Sequence, residues 1–214
     1  MHFIGIHRYV KITNIIGTLP SLDTSTAKPT EEIMPQRAAF NFSDWIERNK
    51  QHLKPPVSNR HLFDHSSDIV VMVVGGPNQR VDFHDDPAEE FFYQVSGDMI
   101  LKVAEDGEIY DVPIREGEVF LLPAHIRHSP QRPVEGSVGL VVEGARHSEM
   151  KDGFEWFCFD CGHLVHRVEV QIKDIVKDLP PLFDAFYNNQ TERICGHCGA
   201  VHPGKEPPPG WVRM

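Results

Sequence analysis

From residue 69 to residue 143 the chain is a succession of short apolar runs broken by turn residues. The runs 69–74, 81–83, 91–95, 99–104, 109–113, 119–122 and 138–143 have the length and the β-branched and aromatic content of strands. Gly75-Gly76-Pro77, Ser96-Gly97-Asp98, Glu105-Asp106-Gly107 and Arg115-Glu116-Gly117 punctuate them. Many short strands at regular spacing predict a sandwich or barrel, not alternating strands and helices. Ahead of them, Ser43-Asp44 before Trp45-Ile46 predicts a short helix to about His52, stopped by Pro55-Pro56. After Gly153 the character changes: a strand candidate at 165–172 is followed by Pro180-Pro181 and an apolar segment at 182–187. No internal repeat of fixed period is present. The expected fold is dominated by β-structure, with a short N-terminal helix and a small C-terminal appendage.

The remaining bulk properties narrow the function. The chain has 214 residues, enough for one compact domain with extras, and 17 prolines and 16 glycines fit a turn-rich fold. A formal charge of −10 argues against a sequence-independent grip on nucleic acid, which needs Lys and Arg on phosphates. No apolar run reaches the roughly 18–20 residues that span a bilayer. Residues 1–18 carry Arg8 and Lys11 without an acid, faintly like a mitochondrial presequence, and residues 21–30 are rich in Ser, Thr and Pro. A disordered tail or an upstream start codon is the favoured explanation of this leader, so 1–36 is set apart from the fold. The expected organisation is a leader at 1–36, a β-rich domain at 37–152, and an appendage with a tail at 153–214.

Two groups of residues carry chemistry. In His84-Asp85-Asp86-Pro87-Ala88-Glu89-Glu90 a histidine and a carboxylate lie six apart, and His128 follows from a later strand pair. Two imidazoles and one carboxylate hold a transition metal with half of an octahedral sphere open, as oxygen-activating ferrous enzymes require. An even offset places His84 and Glu90 on one side of an ideal strand, although Pro87 interrupts regular pairing between them. Asp85, Asp86 and Glu89 are competing carboxylates; Asp86 reads as a supporting residue, and Glu90 is the better ligand by its offset. Arg80 lies four residues before His84 and Arg132 four after His128. A guanidinium fork suits a carboxylate, so both are candidate substrate clamps, although each alone also reads as a solvated surface group. Glu143 either reaches the cavity to accept a proton or a hydrogen bond, or is a solvated strand end.

The second group is Cys158-x-x-Cys161-Gly162 with Cys195-x-x-Cys198-Gly199. Two such knuckles make a four-thiolate tetrahedral site, with each glycine letting the backbone turn so that amides point at sulfur. Iron and zinc both suit that geometry. His163, His166 and His202 are spare candidates, but four thiolates already fill the sphere. Cysteines in this pattern suit a reducing compartment and a cytoplasmic protein.

The spacing His84…Glu90 together with Gly117-x5-Pro123-x4-His128 resembles the two cupin motifs, which implies a single jelly-roll β-barrel. Three departures stand out: Asn78 at the opening glycine, Asp86 where many cupins carry a second histidine, and His125 where the second motif usually has glycine. Longer strings resemble the 3-hydroxyanthranilate 3,4-dioxygenase family. They are Pro55-Pro56-Val57-Ser58-Asn59-Arg60, Val74-Gly75-Gly76-Pro77-Asn78, His84-Asp85-Asp86-Pro87 with Glu89-Glu90-Phe91-Phe92-Tyr93-Gln94, Phe120-Leu121-Leu122-Pro123, Arg127-His128-Ser129-Pro130-Gln131-Arg132-Pro133, Asp152-Gly153-Phe154-Glu155-Trp156 and Cys161-Gly162-His163-Leu164-Val165-His166-Arg167. The likeness covers roughly 40–204.

The resemblance implies Fe(II) on His84, Glu90 and His128, and no organic cofactor. It also implies that Arg80 and Arg132 hold the substrate carboxylate, that Glu143 lies near its hydroxyl and amino groups, and that Asn59 sits on a loop approaching it. The implied reaction is ring opening of 3-hydroxyanthranilate by O2 to 2-amino-3-carboxymuconate semialdehyde, the precursor of quinolinate, in the kynurenine pathway and NAD biosynthesis. The four-cysteine site resembles that of bacterial and fungal members. A structural role suits it, because ring cleavage by dioxygen needs no external electrons. Single-cupin chains commonly pair through sheet edges, so a homodimer is expected. A different metal-dependent cupin enzyme would keep the triad without needing these strings. A zinc-ribbon binding module would leave His84, Glu90 and His128 unexplained.

Overall fold

The computed structural model describes residues 38–55, 58–64, 68–173 and 175–212, so the expected leader and Pro56-Val57 lie outside the described residues. Asn41 caps α1 (Phe42–Asn49), its side-chain oxygen accepting from the Asp44 amide at 3.0 Å, and one 3₁₀ turn (Lys50–His52) extends the helix to the expected end.

Eleven strands are assigned among the described residues: β1 (Asn59–His61), β2 (Ile69–Gly75), β3 (Phe83–Asp85), β4 (Glu90–Ser96), β5 (Met99–Glu105), β6 (Glu108–Ile114), β7 (Val119–Leu122), β8 (Arg127–Gln131), β9 (Val138–Gly144), β10 (Asp152–Phe157) and β11 (Leu164–Val170). A second helix, α2 (Ile175–Asn188), follows. They form two antiparallel sheets, ordered β1-β2-β9-β4-β7 and β11-β10-β3-β8-β5-β6. Met72, Phe92, Leu122 and Val141 from the first sheet share one buried cluster with Met99, Leu101, Val103 and Ile114 from the second. The sheets therefore pack face to face, each such side chain contributing about 1.5–3 kcal/mol on burial. At the β5–β6 turn Asp106 and Gly107 take φ of 52° and 82°, the left-handed pair that a two-residue hairpin demands.

Four details differ from the sequence expectation. The run at 81–83 is displaced: β3 is Phe83–Asp85, with Val81 buried ahead of it. The strands β1, β8 and β10 were not expected from the apolar pattern; β8, for one, reads Arg-His-Ser-Pro-Gln and has no apolar alternation. The change of character at Gly153 falls inside β10, which pairs with β3 on one side and β11 on the other. Residues after Asp152 thus extend the main sheet, and the chain from Asn41 onward forms one compact unit. Finally, α2 begins before Pro180 and Pro181 rather than after them. Both prolines face outward, while Leu179, Phe183, Phe186 and Tyr187 pack on Phe154, Trp156 and Val81.

Candidate metal centre

Register explains how distant residues meet. In the five-stranded sheet, Val70, Glu143, Glu90 and Leu122 form one row on the inner face; Met72, Val141, Phe92 and Phe120 form the next; Asn59, Val74, Gly139 and Gln94 form the third. In the six-stranded sheet, Phe154, His84, His128 and Val103 share a row facing them. His84 and Glu90 therefore do not lie on one strand, as their even offset suggested. Pro87 stands where the chain crosses between sheets, and the two residues meet from opposite faces.

Glu90 Oε1 lies 2.9 Å from His128 Nε2 and 3.5 Å from His84 Nδ1. The opposite nitrogen of each ring is engaged. His128 Nδ1 donates to the Ile126 carbonyl at 2.9 Å, and His84 Nε2 meets Asp152 Oδ1 at 2.8 Å. Those contacts turn the other nitrogen of each imidazole toward Glu90. Glu90 Oε1 is buried without a hydrogen-bond partner. Three donor atoms thus converge, all within 4.8 Å of one another. His84 also stacks on Phe154, with centroids 4.9 Å apart and planes 7° from parallel.

The surroundings are strongly acidic. Asp86, Glu143 and Asp152 are buried beside Glu90, and Arg146 is the cation that bridges three of the four. Its Nη2 reaches Asp86 Oδ2 at 2.6 Å and Asp152 Oδ1 at 2.8 Å, and its Nη1 reaches Glu143 Oε1 at 3.2 Å. Burial works against the Glu90 carboxylate, but positive charge at His128 and His84 outweighs it and holds the group well below the usual range. Burial likewise opposes charge on His84, and the bonds to Asp152 and Glu90 overcome it, raising the imidazole to about 10. Burial, reinforced by Glu90 and Asp86, pushes Glu143 up to about 8 despite Arg146. The cluster demands a cation, and its donor set of two imidazoles and one carboxylate fits a divalent transition metal.

The arginines differ from each other. Arg132 is 1% exposed, its Nε has no hydrogen-bond partner, and among the described residues no carboxylate pairs with it. Burial lowers it to about 10, against the pull of Glu90. Gly139 makes room for it: a Cβ there would come within 2.5 Å of Arg132 Nη2 and 2.8 Å of Gln94 Oε1. Arg80 is instead gripped by Asp82, which takes its Nε and Nη2 edge, leaving Nη1 toward other partners. Its charge is felt at Glu90, and Tyr187 of α2 lies close enough to act on it. Asn59 shares the inner-face row of Val74, Gly139 and Gln94. Asp82, Arg146, Asp152 and Tyr187 were not singled out from sequence. Only Asp152 carried a signal, as the first residue of the Asp-Gly-Phe-Glu-Trp string.

The four cysteine sulfurs also come together. Cys158 and Cys198 Sγ atoms are 3.6 Å apart, as are those of Cys161 and Cys195. A tetrahedron with metal–sulfur bonds of about 2.3 Å has edges of roughly 3.8 Å, whereas a disulfide needs about 2.05 Å. The amides of Gly162 and Gly199 donate to the Cys158 and Cys195 carbonyls at 2.9 Å in matching turns, with φ of 72° and 79°. Amides of Cys198 and His197 aimed at Cys195 lower its thiol to about 6. Of the spare histidines, His163 comes near Cys161 together with His197; His166 and His202 stay with the aromatic cluster of Trp156 and Phe186.

A family model described as 3-hydroxyanthranilic acid dioxygenase matches residues 34–187. A relative from Ruegeria pomeroyi, named 3-hydroxyanthranilate 3,4-dioxygenase, is 59% identical over 181 residues, covering 85% of this chain and all of the relative. One of the same name from Brucella anthropi is 60% identical over 183 residues, covering 85% of this chain and all of the relative. Among solved structures, a cupin-2 domain protein from Shewanella frigidimarina superposes with a TM-score of 0.40 at 19% identity, over 50% of this chain and 94% of its own.

Proposed function

We propose, from the premise that this chain belongs to the 3-hydroxyanthranilic acid dioxygenase family, that it opens the ring of 3-hydroxyanthranilate with O2 to give 2-amino-3-carboxymuconate semialdehyde. The single observation that carries the reading is the convergence of Glu90 Oε1 with His128 Nε2 at 2.9 Å and His84 Nδ1 at 3.5 Å, beside a buried Arg132 guanidinium that feels Glu90 and has no carboxylate partner among the described residues. His84, Glu90 and His128 would hold Fe(II). When bound there, a ferrous ion would supply open coordination positions and a route for electron density from an electron-rich ring to dioxygen.

The chain's own residues supply placement. Arg132 offers the carboxylate of the substrate the partner that it lacks in the protein, and Arg80 adds its free Nη1 edge. The row of Met72, Val141 and Phe92 lies between the row of Gly139, over which Arg132 Nη2 lies, and the row of Glu143, an apolar floor suited to an aromatic ring. Glu143, whose carboxyl is pushed up to about 8, is placed to take and return the hydroxyl proton. Asn59 closes the carboxylate end. Both oxygen atoms of O2 enter the product, so no external reductant is required and no organic cofactor is needed.

The four thiolates would hold a second metal, iron or zinc, as a structural staple. Free thiols at such a site support a reducing, cytoplasmic setting; among the described residues no helix is long and apolar enough to cross a membrane. A homodimer is supported by the outer face of the five-stranded sheet, where Phe91, Val119 and Leu121 stand exposed on neighbouring strands.

The test is anaerobic loading with Fe(II), then oxygen uptake on adding 3-hydroxyanthranilate, with His84→Ala as control. Stoichiometric uptake with quinolinate formation, lost in the control, supports the reading. Full iron occupancy without uptake refutes the substrate and leaves the metal site standing.

A further inference from the structure

Trp211, on the tail beyond the last cysteine, touches both metal-binding constellations. Its Nε1 donates to the Arg80 carbonyl at 3.0 Å. That carbonyl also accepts from Gln131 Nε2 at 2.9 Å, while the Arg80 amide donates to Gln131 Oε1 at 3.1 Å. On its other sides the indole is wedged. Phe159, inside the Cys158–Cys161 knuckle, meets it edge-on with centroids 4.8 Å apart. Phe83, the neighbour of His84, lies 6.2 Å away, and Lys102 Nζ sits 4.2 Å from the ring centroid, held in turn by Asp111 at 2.7 Å. His202, buried, packs on the same Phe159 at 4.9 Å. A solvent-side tail would not require a donor, a cation and two rings to locate one indole.

We propose that Trp211 is a positioning residue for Arg80, tying the backbone that carries this guanidinium to the four-cysteine knuckle through Phe159. The claim rests on the reading that Arg80 helps to hold the substrate carboxylate. The Arg80 backbone has only Trp211 and the Gln131 amide to fix its carbonyl among the described residues, and its side chain is aimed by Asp82. Loosening the carbonyl therefore tilts the fork without disturbing His84, Glu90 or His128. The cysteine site would in this way act on substrate affinity at a distance, with no electron passing from it.

Two variants of the full, iron-loaded chain separate the parts. Trp211→Phe keeps the ring and removes the N–H; Trp211→Ala removes both. The KM for 3-hydroxyanthranilate should rise about threefold in the first and about tenfold in the second, as expected for losing one and then several modest contacts. Iron content and kcat should stay near those of the unaltered protein. A merely structural tail would lower kcat, iron content and melting temperature together and leave KM alone, which overturns the proposal. Adding Phe159→Leu to Trp211→Ala should raise KM no further; independent, multiplying effects would show that the knuckle does not act through Trp211. Amide hydrogen exchange across residues 78–82 needs no turnover. It should quicken in Trp211→Phe even if the unaltered protein consumes no oxygen with this substrate, and unchanged exchange there defeats the proposal independently of the proposed reaction.

Discussion

His84 Nε2 and Asp152 Oδ1 stand 2.8 Å apart, joining β3 to the inner face of β10 two residues from the Phe154 that stacks on the same imidazole. Asp152 is fully buried and is itself held by Arg146 at 2.8 Å. One ring nitrogen is thereby committed to a carboxylate, and the other is turned toward Glu90. Asp152→Asn keeps the shape and removes the charge that fixes the ring. Affinity for Fe(II) should fall about 10- to 100-fold, the usual cost of losing such an outer partner. Competition with a chromophoric chelator measures it, and an unaltered dissociation constant would show that the bond does not orient the ligand.

Arg132 gives a prediction of opposite sign for stability and function. A buried cation without a carboxylate partner is costly to the folded protein, so Arg132→Met should leave thermal stability unchanged or improved. Affinity for 3-hydroxyanthranilate should fall on the order of a hundredfold, because the group that the cation awaits has lost its partner. Calorimetry of the two proteins alongside anaerobic substrate titration reads both quantities. A large loss of stability with affinity intact would assign Arg132 to the core instead.

Gly139 tests the same pocket from beneath. The Cβ of an alanine would press on Arg132 Nη2 and Gln94 Oε1, both buried, with Gln94 also tied to Ser96 and Ser137. Gly139→Ala should therefore cost roughly 1–3 kcal/mol of stability, and raise the substrate KM several-fold with iron binding unaffected. Metal content by atomic spectroscopy and steady-state kinetics make the comparison. If the KM does not move, the guanidinium does not lie where the substrate needs it.

How far the site could be read from sequence depends on whether a residue's role is local. The proposed ligands His84, Glu90, His128 and the four cysteines stand out through spacing, because metal sites need fixed residue types at short offsets. The strands that are nearly continuous apolar runs bounded by turn residues, such as β2, β5 and β9, were legible as well. β8 was not, since His128 stands in its inner row and its other buried positions, Ser129 and Gln131, are polar where an apolar run would have shown. Asp152 and Arg146 could not be found from spacing. Their partners are 68 and 60 residues away in the chain, at His84 and Asp86, and only sheet register brings them together. His125 shows the converse. It stands where the resembled motif has glycine and takes a φ of 65°, with its amide on the Asp86 carbonyl at 2.7 Å and its ring on Asp85 at 3.0 Å. The backbone demand is visible in the motif, but the compensation is visible only in the fold.

His202 predicts a pH dependence away from the candidate metal centre. It is 2% exposed, its Nδ1 accepts from the Gly204 amide at 3.1 Å, and its Nε2 has no partner. Burial, with Arg193 adding repulsion, lowers its pKa from the ordinary 6.5 to about 4. The unfolded chain therefore binds a proton at this residue before the folded one does. Its contribution to stability is complete above pH 6.5, falls as the pH drops from there, and is fully lost once the folded imidazole protonates near pH 4. The slope approaches about 1 kcal/mol per pH unit within that window. Urea midpoints at pH 7.5 and 5 should accordingly lie closer together in His202→Asn than in the unaltered protein, although the variant starts lower at pH 7.5 because it empties a packed position beside Phe159 and Phe186. Equal spacing of the midpoints in both proteins would mean that His202 protonates freely in the fold, and that its burial does not govern how the protein responds to acid.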